Sequence, residues 1–441
     1  MSAGNLNSKK NMGTIALTVQ NGLCTGCGTC VGICPTEAIE ICLSDPDGLY
    51  FPKIEKEKCT KCGLCLRCCA GHSVNLGRLN REVFGKESED YLLGNYQCCY
   101  VGHSNDSAVR CNSSSGGIAS HLAIYALEKG LVDGVLVVRM KEDQPLVPEV
   151  FIAKTKKDIL SASKSKYCPV PLNIALRKIL RTEGKFAVVG LPCHIHGIRL
   201  AEKTVRGLKD KIVLHIGLLC SHTTSFKGTD FLLDKIGIRK EAIARLDYRG
   251  KGWPGFMSIR LKSGTNYDIR FIKSWSAYWN IFSPFFFTPL RCMMCPDQAN
   301  ELSDISVGDA WLPELKENAV GESVIIARTK MGEEVLAAMV RSRLLSVKQV
   351  SADKVKQSQA FSLNFKKNLL QCRLSTLKML GKPIPQVDSG PPGGFPARMD
   401  AIMAYLSFYV SMDKNSKLLR YIPLPMFRLY FGIFRCLSLL S

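Results

Sequence analysis

Eight cysteines near the start of the chain fall into two runs of one spacing. Cys24, Cys27, Cys30 and Cys34 precede Pro35, and Cys59, Cys62, Cys65 and Cys69 precede Ala70. Each run reads C-x2-C-x2-C-x3-C, a spacing that holds iron-sulfur clusters through thiolates. In paired runs of this kind the fourth cysteine reaches across to the other cluster. Cys24, Cys27, Cys30 and Cys69 would then hold one 4Fe-4S centre, and Cys59, Cys62, Cys65 and Cys34 the second. The chemistry is transfer of single electrons. Paired C-x-x-C units also build zinc sites and disulfides. Zinc knuckles use two ligands each, whereas here three evenly spaced ligands and a delayed fourth recur. Gly26, Gly28, Thr29 and Gly63 lie between them and let backbone amides approach sulfide. The second run departs in two ways: Cys68 stands beside Cys69, and Ala70 occupies the usual place of proline. Its fourth ligand is left between Cys68 and Cys69.

A second constellation is Cys111-Asn-Ser-Ser-Ser-Gly-Gly117, ahead of a helical run from Ile118 to Lys129 closed by Gly130. Gly116 and Gly117 permit close backbone approach. Ser113, Ser114 and Ser115 put hydroxyls at a helix N-terminus, where free amides and the macrodipole favour an anion. The pattern reads either as a phosphate cradle or as a plain N-cap; it is neither G-x-G-x-x-G nor a Walker A loop. A third group comprises Cys193 in GLPCH, Cys220 at a strand end, and Cys292 and Cys295 in RCMMCPD. All lie at strand ends or turns, where side chains of an α/β domain converge, so four thiolates there could build a third cluster. Buried free cysteine is also a common small hydrophobe, which suits Cys42, Cys372 and Cys436.

These side chains need a frame to hold them. A length of 441 residues corresponds to about three domains. Residues 14–78 read as an α+β ferredoxin-like module, with short strands such as Ile15 to Val19 and Gly48 to Pro52 beside helices that follow each cysteine run. A charged linker from Asn80 to Asp90 comes next. From Tyr91 strands and helices alternate, the α/β signature, and this domain extends over residues 91–380. Leu131 to Met140, Phe186 to Gly190 and Lys211 to Cys220 are apolar strands, and Leu172 to Arg181 and Phe226 to Ile236 have helical spacing. Met257 to Leu261 and Tyr267 to Ile272 read as a hairpin, and Ser323 to Arg328 and Gly332 to Val340 as a further strand and helix. Residues 381–396, GKPIPQVDSGPPGGFP, are a linker by composition, and residues 397–441 form a basic, apolar, helical tail.

Lys and Arg number 59 against 38 Asp and Glu, a formal charge of +21. The basic residues are spread along the chain, without an RNP-like strand, a Cys/His finger or a basic helix with interleaved aromatics, so nucleic acid is excluded as a partner. Acidic partners fit instead: an acidic ferredoxin, a polyanionic coenzyme or an anionic membrane surface. Twenty cysteines without an apolar stretch behind the basic N-terminus point to a reducing compartment, the cytoplasm.

The stretches SSSGGIASHL, SKSKYCPVP, VVGLPCHIHGIR, HIGLLCSH, DYRGKGWPG and PLRCMMCPDQANELSDISVGDAW resemble, in that order, the beta-subunit family of coenzyme F420 hydrogenases and dehydrogenases. The resemblance covers about residues 91–380. It implies a flavin-binding α/β domain that takes FAD and a 4Fe-4S cluster and is often joined to a two-cluster ferredoxin module. The family is also similar to 7-hydroxymethyl chlorophyll a reductase, so membership does not name the substrate.

Carried onto this chain, the resemblance implies that Asn112, Ser113, Ser114, Ser115, Gly116 and Gly117 meet the flavin. Ser165, Lys166, Tyr167 and Pro169 line its other side, with Lys166 offering positive charge to a flavin oxyanion. Cys193, Cys220, Cys292 and Cys295 hold a proximal cluster, and Gly308, Asp309, Ala310 and Trp311 shape the pocket floor. His194, His196 and His222 either shuttle protons or hydrogen-bond cluster sulfurs and backbone. Hydride would pass between coenzyme F420 and FAD, and single electrons between FAD and a ferredoxin or other electron-transfer subunit by way of the clusters, in either direction. No covalent nucleophile or triad is expected. The alternatives are a ferredoxin-driven reductase of an organic substrate and a non-catalytic electron-transfer subunit.

The segment PLPMFRLYFGIFRCLSLLS at the C-terminus is aromatic and apolar, with Arg428 and Arg435 interrupting and Lys414, Lys417 and Arg420 ahead of it. It is short of the roughly 20 apolar residues that span a bilayer. It fits an interfacial helix on the inner face of the membrane, a docking segment for a membrane complex, or a helix packed on its own domain.

Overall fold

The computed structural model describes residues 13–272, 278–388, 390 and 393–440. The reading of residues 1–12 as free of a leader, and positions 389, 391 and 392 of the proposed linker, lie outside the described residues.

An eight-stranded mixed sheet forms the centre. Its strands in chain order are β1 (Cys98–Ser104), β2 (Gly134–Met140), β3 (Pro148–Ala153), β4 (Phe186–Gly190), β5 (Ile212–Leu218), β6 (Ile305–Asp309), β7 (Ser323–Ala327) and β8 (Leu345–Val350). The spatial order is β8-β1-β7-β6-β5-β4-β2-β3. Strands β6, β5, β4 and β2 pair in parallel, with registers such as Ile305 to Ile216 and Val188 to His215, while both flanks are antiparallel. Parallel strands covered on both faces read as unbroken apolar runs, and FAVVG of β4 has that character. SVIIA of β7, antiparallel to both its neighbours, is likewise buried at every residue.

Alternation along each strand divides the core. Val135, Val137, Ala187, Leu214 and Ile216 face helix α1 (Ile118–Glu128). Leu136 and Val188 face the other way, against helix α2 (Pro192–Thr204) and against Ile33, Val74 and Leu79 of the N-terminal segment. The cysteine-rich segment therefore packs on one face of the central sheet.

That segment contains short helices at Ala16–Gln20, Thr29–Gly32 and Leu64–Arg67 and an antiparallel pair, Ile39–Ser44 with Leu49–Ile54. The strand expected from Ile15 is instead a helical turn, with Ile15 and Thr18 buried together at i, i+3. The charged linker begins later than Asn80. Leu76–Phe84 is helical, N-capped by Asn75 and ended by Gly85 at φ 74°, and the buried Asn80 amide donates to Leu76 O at 2.8 Å.

Asn173 ties this segment down: its N–H donates to Cys27 O at 2.9 Å and its side-chain amide to Thr29 Oγ1 at 2.8 Å. Arg177 donates to Val31 O at 2.9 Å. The proposed linker carries a structural element of its own, since Gln386–Val387 pairs in parallel with Ser73–Val74.

Helices α3 (Ala352–Leu363) and α4 (Leu370–Met379) are joined through a π-helical turn, Asn364–Asn368. The tail forms α5 (Phe395–Ser411), a short helix at Asp413–Leu419, and α6 (Leu424–Leu440). Phe427 and Phe434 of α6 are buried against Phe231, Phe286 and Phe285, so one face of the tail packs on its own domain. No helix among the described residues is long and apolar enough to cross a membrane.

Candidate functional site

The eight N-terminal thiols separate into the two sets that cross-ligation requires. Cys34, Cys59, Cys62 and Cys65 line one small cavity of about 20 Å³. The other four crowd one another. Burial, then Cys27 and Cys69, push the Cys24 thiol up to about 12. Burial, then Cys27, Cys24 and Cys69, push Cys30 well up. Burial and then Cys27 push Cys69 up to about 11. Cys68 stands apart: fully buried among Leu76, Leu79 and α2, it lies 3.0 Å from Thr204 Oγ1. Among the described residues no three His, Cys, Asp or Glu side chains converge as they would on a single ion. Cys34, Cys59, Cys62 and Cys65 surround a volume, as ligands of a cluster with one thiolate per iron do.

Cys193, at the start of α2, is half-buried, and its thiol is raised by desolvation and then by Cys27, Cys220, Cys292 and Cys295. The structure thus brings the four later cysteines together and sets Cys27 of the N-terminal segment against them. Thiolates so placed repel one another unless a cationic centre lies among them, and thiolate-bound iron fits that donor set.

Buried cations enclose the same loop. Lys366, on the π-helical turn, is 1% exposed and donates to Cys292 O at 3.0 Å. Arg373 donates to Met293 O at 2.9 Å. Arg291 clamps two segments at once, donating to Gly71 O and Ala70 O at 3.0 Å and to Met294 O at 2.9 Å. None of the three stands out in the sequence as a site residue. Arg291 carries a local signal, lying next to Cys292, whereas Lys366 and Lys367 in NFKKN look like a solvated pair. Only the π turn directs both inward, Lys367 onto Glu301.

Beyond the C-terminal ends of β4, β5 and β6 lies a cavity of about 320 Å³. Its wall includes Ser113, Ser114, Ser115, Gly117, Lys166, Tyr167, His194, Cys220, His222, Arg249 and Asp309. This is where ligands bind in open α/β sheets, and the volume falls in the cofactor range of about 300–1,000 Å³. Helix α1 opens here on Gly117, at φ 79°, with no side chain capping its first amides.

The serines do not cap α1. Ser113 Oγ donates to Val109 O and Ser115 Oγ to Glu322 O, each at 2.7 Å, while Ser114 Oγ accepts from the N–H of Ser165 at 2.8 Å. The free amides of α1 are left for an anion from the cavity. Two residues of the loop depart from expectation. Asn112 donates to Leu160 O at 2.9 Å, and the N–H of Gly116 donates to Ser323 Oγ at 3.1 Å; neither is in the cavity wall. A Cβ on Gly116 would lie 2.6 Å from Gly102 O, so this glycine serves close packing against β1.

Lys166 is half-buried in the cavity wall, and desolvation of its ammonium lowers its pKa to about 7. Its ammonium donates to Ala162 O, to Ser163 O at 2.8 Å and to Lys164 O at 3.0 Å. All three protons are thereby used, and what it offers a ligand is field rather than a hydrogen bond. Tyr167 stacks on Phe271 at 5.3 Å and meets Phe282 edge-on at 4.8 Å.

The Asp309 carboxylate is held at both oxygens by Arg249, at 2.8 and 2.6 Å, and also accepts from Trp253 Nε1 at 2.8 Å. Arg249 lies in the stretch DYRGKGWPG, where a lone arginine at a strand end gives no separate signal of its role.

The histidines are fixed rather than mobile proton carriers. His194 accepts from the N–H of Leu191 at Nδ1 and meets Val170 O at Nε2, and burial lowers it to about 4. His222 meets Phe282 O at 2.8 Å and Ser221 Oγ at 3.0 Å, stacks on Phe282 at 4.1 Å, and burial lowers it to about 3. Both are neutral and hold the cavity wall in place. His196 Nε2 contacts Asp297 Oδ2 at 3.0 Å, away from the cavity.

Known proteins resemble the fold and, at residues 17–40, the first cysteine run. Residues 183–353 match the C-terminal family of the coenzyme F420 hydrogenase/dehydrogenase beta subunit, and residues 99–177 match the corresponding N-terminal family. Residues 17–40 match the 4Fe-4S binding domain. The coenzyme F420 hydrogenase subunit beta of Methanothermobacter thermautotrophicus is 26% identical over 306 residues, 67% of this chain and 99% of that protein. An F(420)H(2) dehydrogenase subunit of Methanosarcina mazei is 28% identical over 340 residues, 75% of this chain and 86% of that protein. The coenzyme F420-dependent sulfite reductase of Methanocaldococcus jannaschii is 27% identical over 349 residues, 73% of this chain and 46% of that protein. A chain of the F420-reducing [NiFe] hydrogenase complex from Methanosarcina barkeri shares the fold, with a TM-score of 0.52 at 23% identity, over 68% of this chain and 98% of that one.

Proposed function

Because the chain belongs to the coenzyme F420 hydrogenase/dehydrogenase beta-subunit family, we propose that it is an iron-sulfur flavoprotein oxidoreductase. It exchanges electrons between coenzyme F420 and a one-electron carrier. One observation carries this reading: the cavity that opens on the free amides of α1 also has Cys220 in its wall, so one wall suits an anionic cofactor and another belongs to the third cysteine quartet. FAD, when bound, would supply hydride chemistry toward the deazaflavin and single-electron chemistry toward thiolate-bound iron.

The chain's own residues position and insulate. The amides at the start of α1 bind a phosphate, and Lys166 adds positive field. Arg249 and Asp309 fix the floor, and Tyr167 with Phe271 and Phe282 closes an aromatic side that keeps water out. His194 and His222, both neutral, hold the wall.

The three cysteine sets form a series in which Cys27 adjoins Cys193 and Cys30 adjoins Cys65. The Cys34, Cys59, Cys62 and Cys65 set lies outermost: Cys62 is exposed, whereas Cys27 and Cys30 are buried. Exposed Lys53, Lys56 and Lys61 lie close in sequence to it, which supports an acidic ferredoxin or an acidic electron-transfer subunit as the partner.

The test uses chain purified without oxygen. Bound FAD that bleaches on addition of reduced coenzyme F420 supports the reading. Iron-sulfur absorbance without flavin leaves an electron-transfer subunit and overturns the enzyme; flavin that bleaches only with reduced ferredoxin moves the activity to an organic substrate.

A further inference from the structure

The C-terminal hairpin has a second face that its packing does not use. Helices α5 and α6 run antiparallel, with Ser438 donating to Asp400 and Tyr430 Oη donating to Met403 O at 2.8 Å. The inward face of α6 repeats Phe427, Phe434 and Ser438, all buried. Its outward face repeats Met426, Leu429 and Ile433, spaced i, i+3, i+7, and these side chains are 52%, 58% and 50% exposed. The connection ahead of α6 adds Leu418 at 71% and Tyr421 at 85%. On α5, Ile402, Leu406 and Tyr409, spaced i, i+4, i+7, make a second exposed row. Single exposed apolar residues are ordinary, but a repeated row along a helix marks a contact face.

Charge selects what covers it. Lys417, Arg420, Arg428 and Arg435 are exposed beside these rows, and the sequence from residue 401 to the end contains one acidic residue, Asp413. A second copy of the chain would bring the same cations face to face, because a two-fold interface sets a patch against itself. Arg420 is paired with Asp234 at 3.3 Å, and the remaining rim is mainly cationic; an apolar row with such a rim is the composition of a helix lying in the surface of an anionic bilayer. The 17 residues of α6 reach about 26 Å, short of the roughly 30 Å hydrocarbon core, so lying flat is the geometry open to it. The family matches end at residue 353, which makes this hairpin an addition to the matched domains.

We propose that the α5–α6 hairpin docks the chain on an anionic membrane surface. Met426, Leu429 and Ile433 enter the boundary between headgroups and acyl chains, and Arg428 and Arg435 meet lipid phosphates. This stands independently of the redox reading, since it rests on a face remote in sequence from the cysteines and the cavity wall.

The test is co-sedimentation of the full chain with vesicles of phosphatidylcholine containing about one-third phosphatidylglycerol, beside vesicles of phosphatidylcholine alone. The expected result is binding to the anionic vesicles at least tenfold stronger than to the neutral ones and weakened by salt. A Leu429→Glu, Ile433→Glu variant should lose that binding tenfold or more with melting temperature and iron content unchanged, because both side chains are exposed. Arg428→Gln with Arg435→Gln should erase the preference for anionic lipid. Equal sedimentation of the Leu429→Glu, Ile433→Glu variant and the unaltered chain would overturn the proposal. So would failure of the unaltered chain to bind, or a dimer formed without lipid that this variant dissolves.

Discussion

Lys366 places a positive charge against the Cys292 loop, its ammonium 3.0 Å from the Cys292 carbonyl and its side chain 1% exposed. A lysine so buried is rare unless an opposite charge lies near it, and Cys220 and Cys292 are the thiols within its field. An added electron on iron held there would be stabilised by this cation. Lys366→Gln keeps a donor and removes the charge. The reduction potential of one centre should fall by roughly 50–100 mV, the scale of one charge several ångströms away at an effective dielectric of about 20. Redox titration followed by EPR reads the shift, and iron content should not change.

Cys68 and Cys69 differ in environment although they are neighbours. Cys69 crowds Cys27, whereas Cys68 packs with Thr204 in the core. Cys69→Ser should cost about four irons and their acid-labile sulfide per chain. Cys68→Ser should leave both in place and change stability by less than about 1 kcal/mol, because Thr204 Oγ1, 3.0 Å away, gives the new hydroxyl a hydrogen-bond partner. Iron and sulfide analysis with a thermal melt separates the two.

Arg249, buried, and Asp309, half-buried, form a bidentate pair at the cavity floor. Removing one partner strands the other charge, so Asp309→Ala should destabilise the chain by about 3–5 kcal/mol and release bound flavin. Arg249→Lys keeps charge but cannot span both oxygens, and should retain more stability than flavin. Melting temperature and flavin content per chain check both.

Beneath the sheet, His215 sits between Glu202 at 2.8 Å and Asp304 at 2.9 Å, with Arg199 close to both carboxylates. Burial would raise Glu202 and Asp304, but His215 and Arg199 hold both below the usual carboxylate range. Burial and Arg199 would lower His215, yet the two carboxylates hold it above its usual value. For the carboxylates, the stabilisation is present above their unfolded pKa, near 4, and is lost as pH falls through their lower folded values. For His215 the sign is opposite: the stabilisation is present below about 6.5 and is lost as pH rises through its folded pKa. Glu202→Gln should flatten the acid limb of melting temperature against pH, measured by calorimetry.

The parts of this arrangement legible in the sequence are those with short-range spacing. The cysteine runs, the SSSGG loop ahead of α1 and the apolar runs of β2, β4, β5 and β7 carry their signal within a dozen residues. Strands β1, β3, β6 and β8 do not stand out, because CCYVGHS and LSVKQV acquire their place from pairing partners far along the chain. The helix at Ala16–Gln20 reads as a strand because TIALTV is rich in β-branched residues, and tertiary burial of Ile15 and Thr18 overrides that preference. Arg291, Arg249 and Lys366 escape notice because a buried cation is recognisable only by what surrounds it. Asn112 and Gly116 read as cavity residues because they adjoin Ser113 and Gly117, yet adjacency in sequence does not fix the direction of a side chain in a loop.

The short pairing of Gln386–Val387 with Ser73–Val74 joins the two ends of the molecule's history as well as of its chain. During synthesis the N-terminal cysteines emerge hundreds of residues before the strand that pairs beside them. Until then the backbone edge at Ser73–Val74, a few residues after Cys69, lacks the strand that completes it, and a protein cut at residue 380 would never gain it.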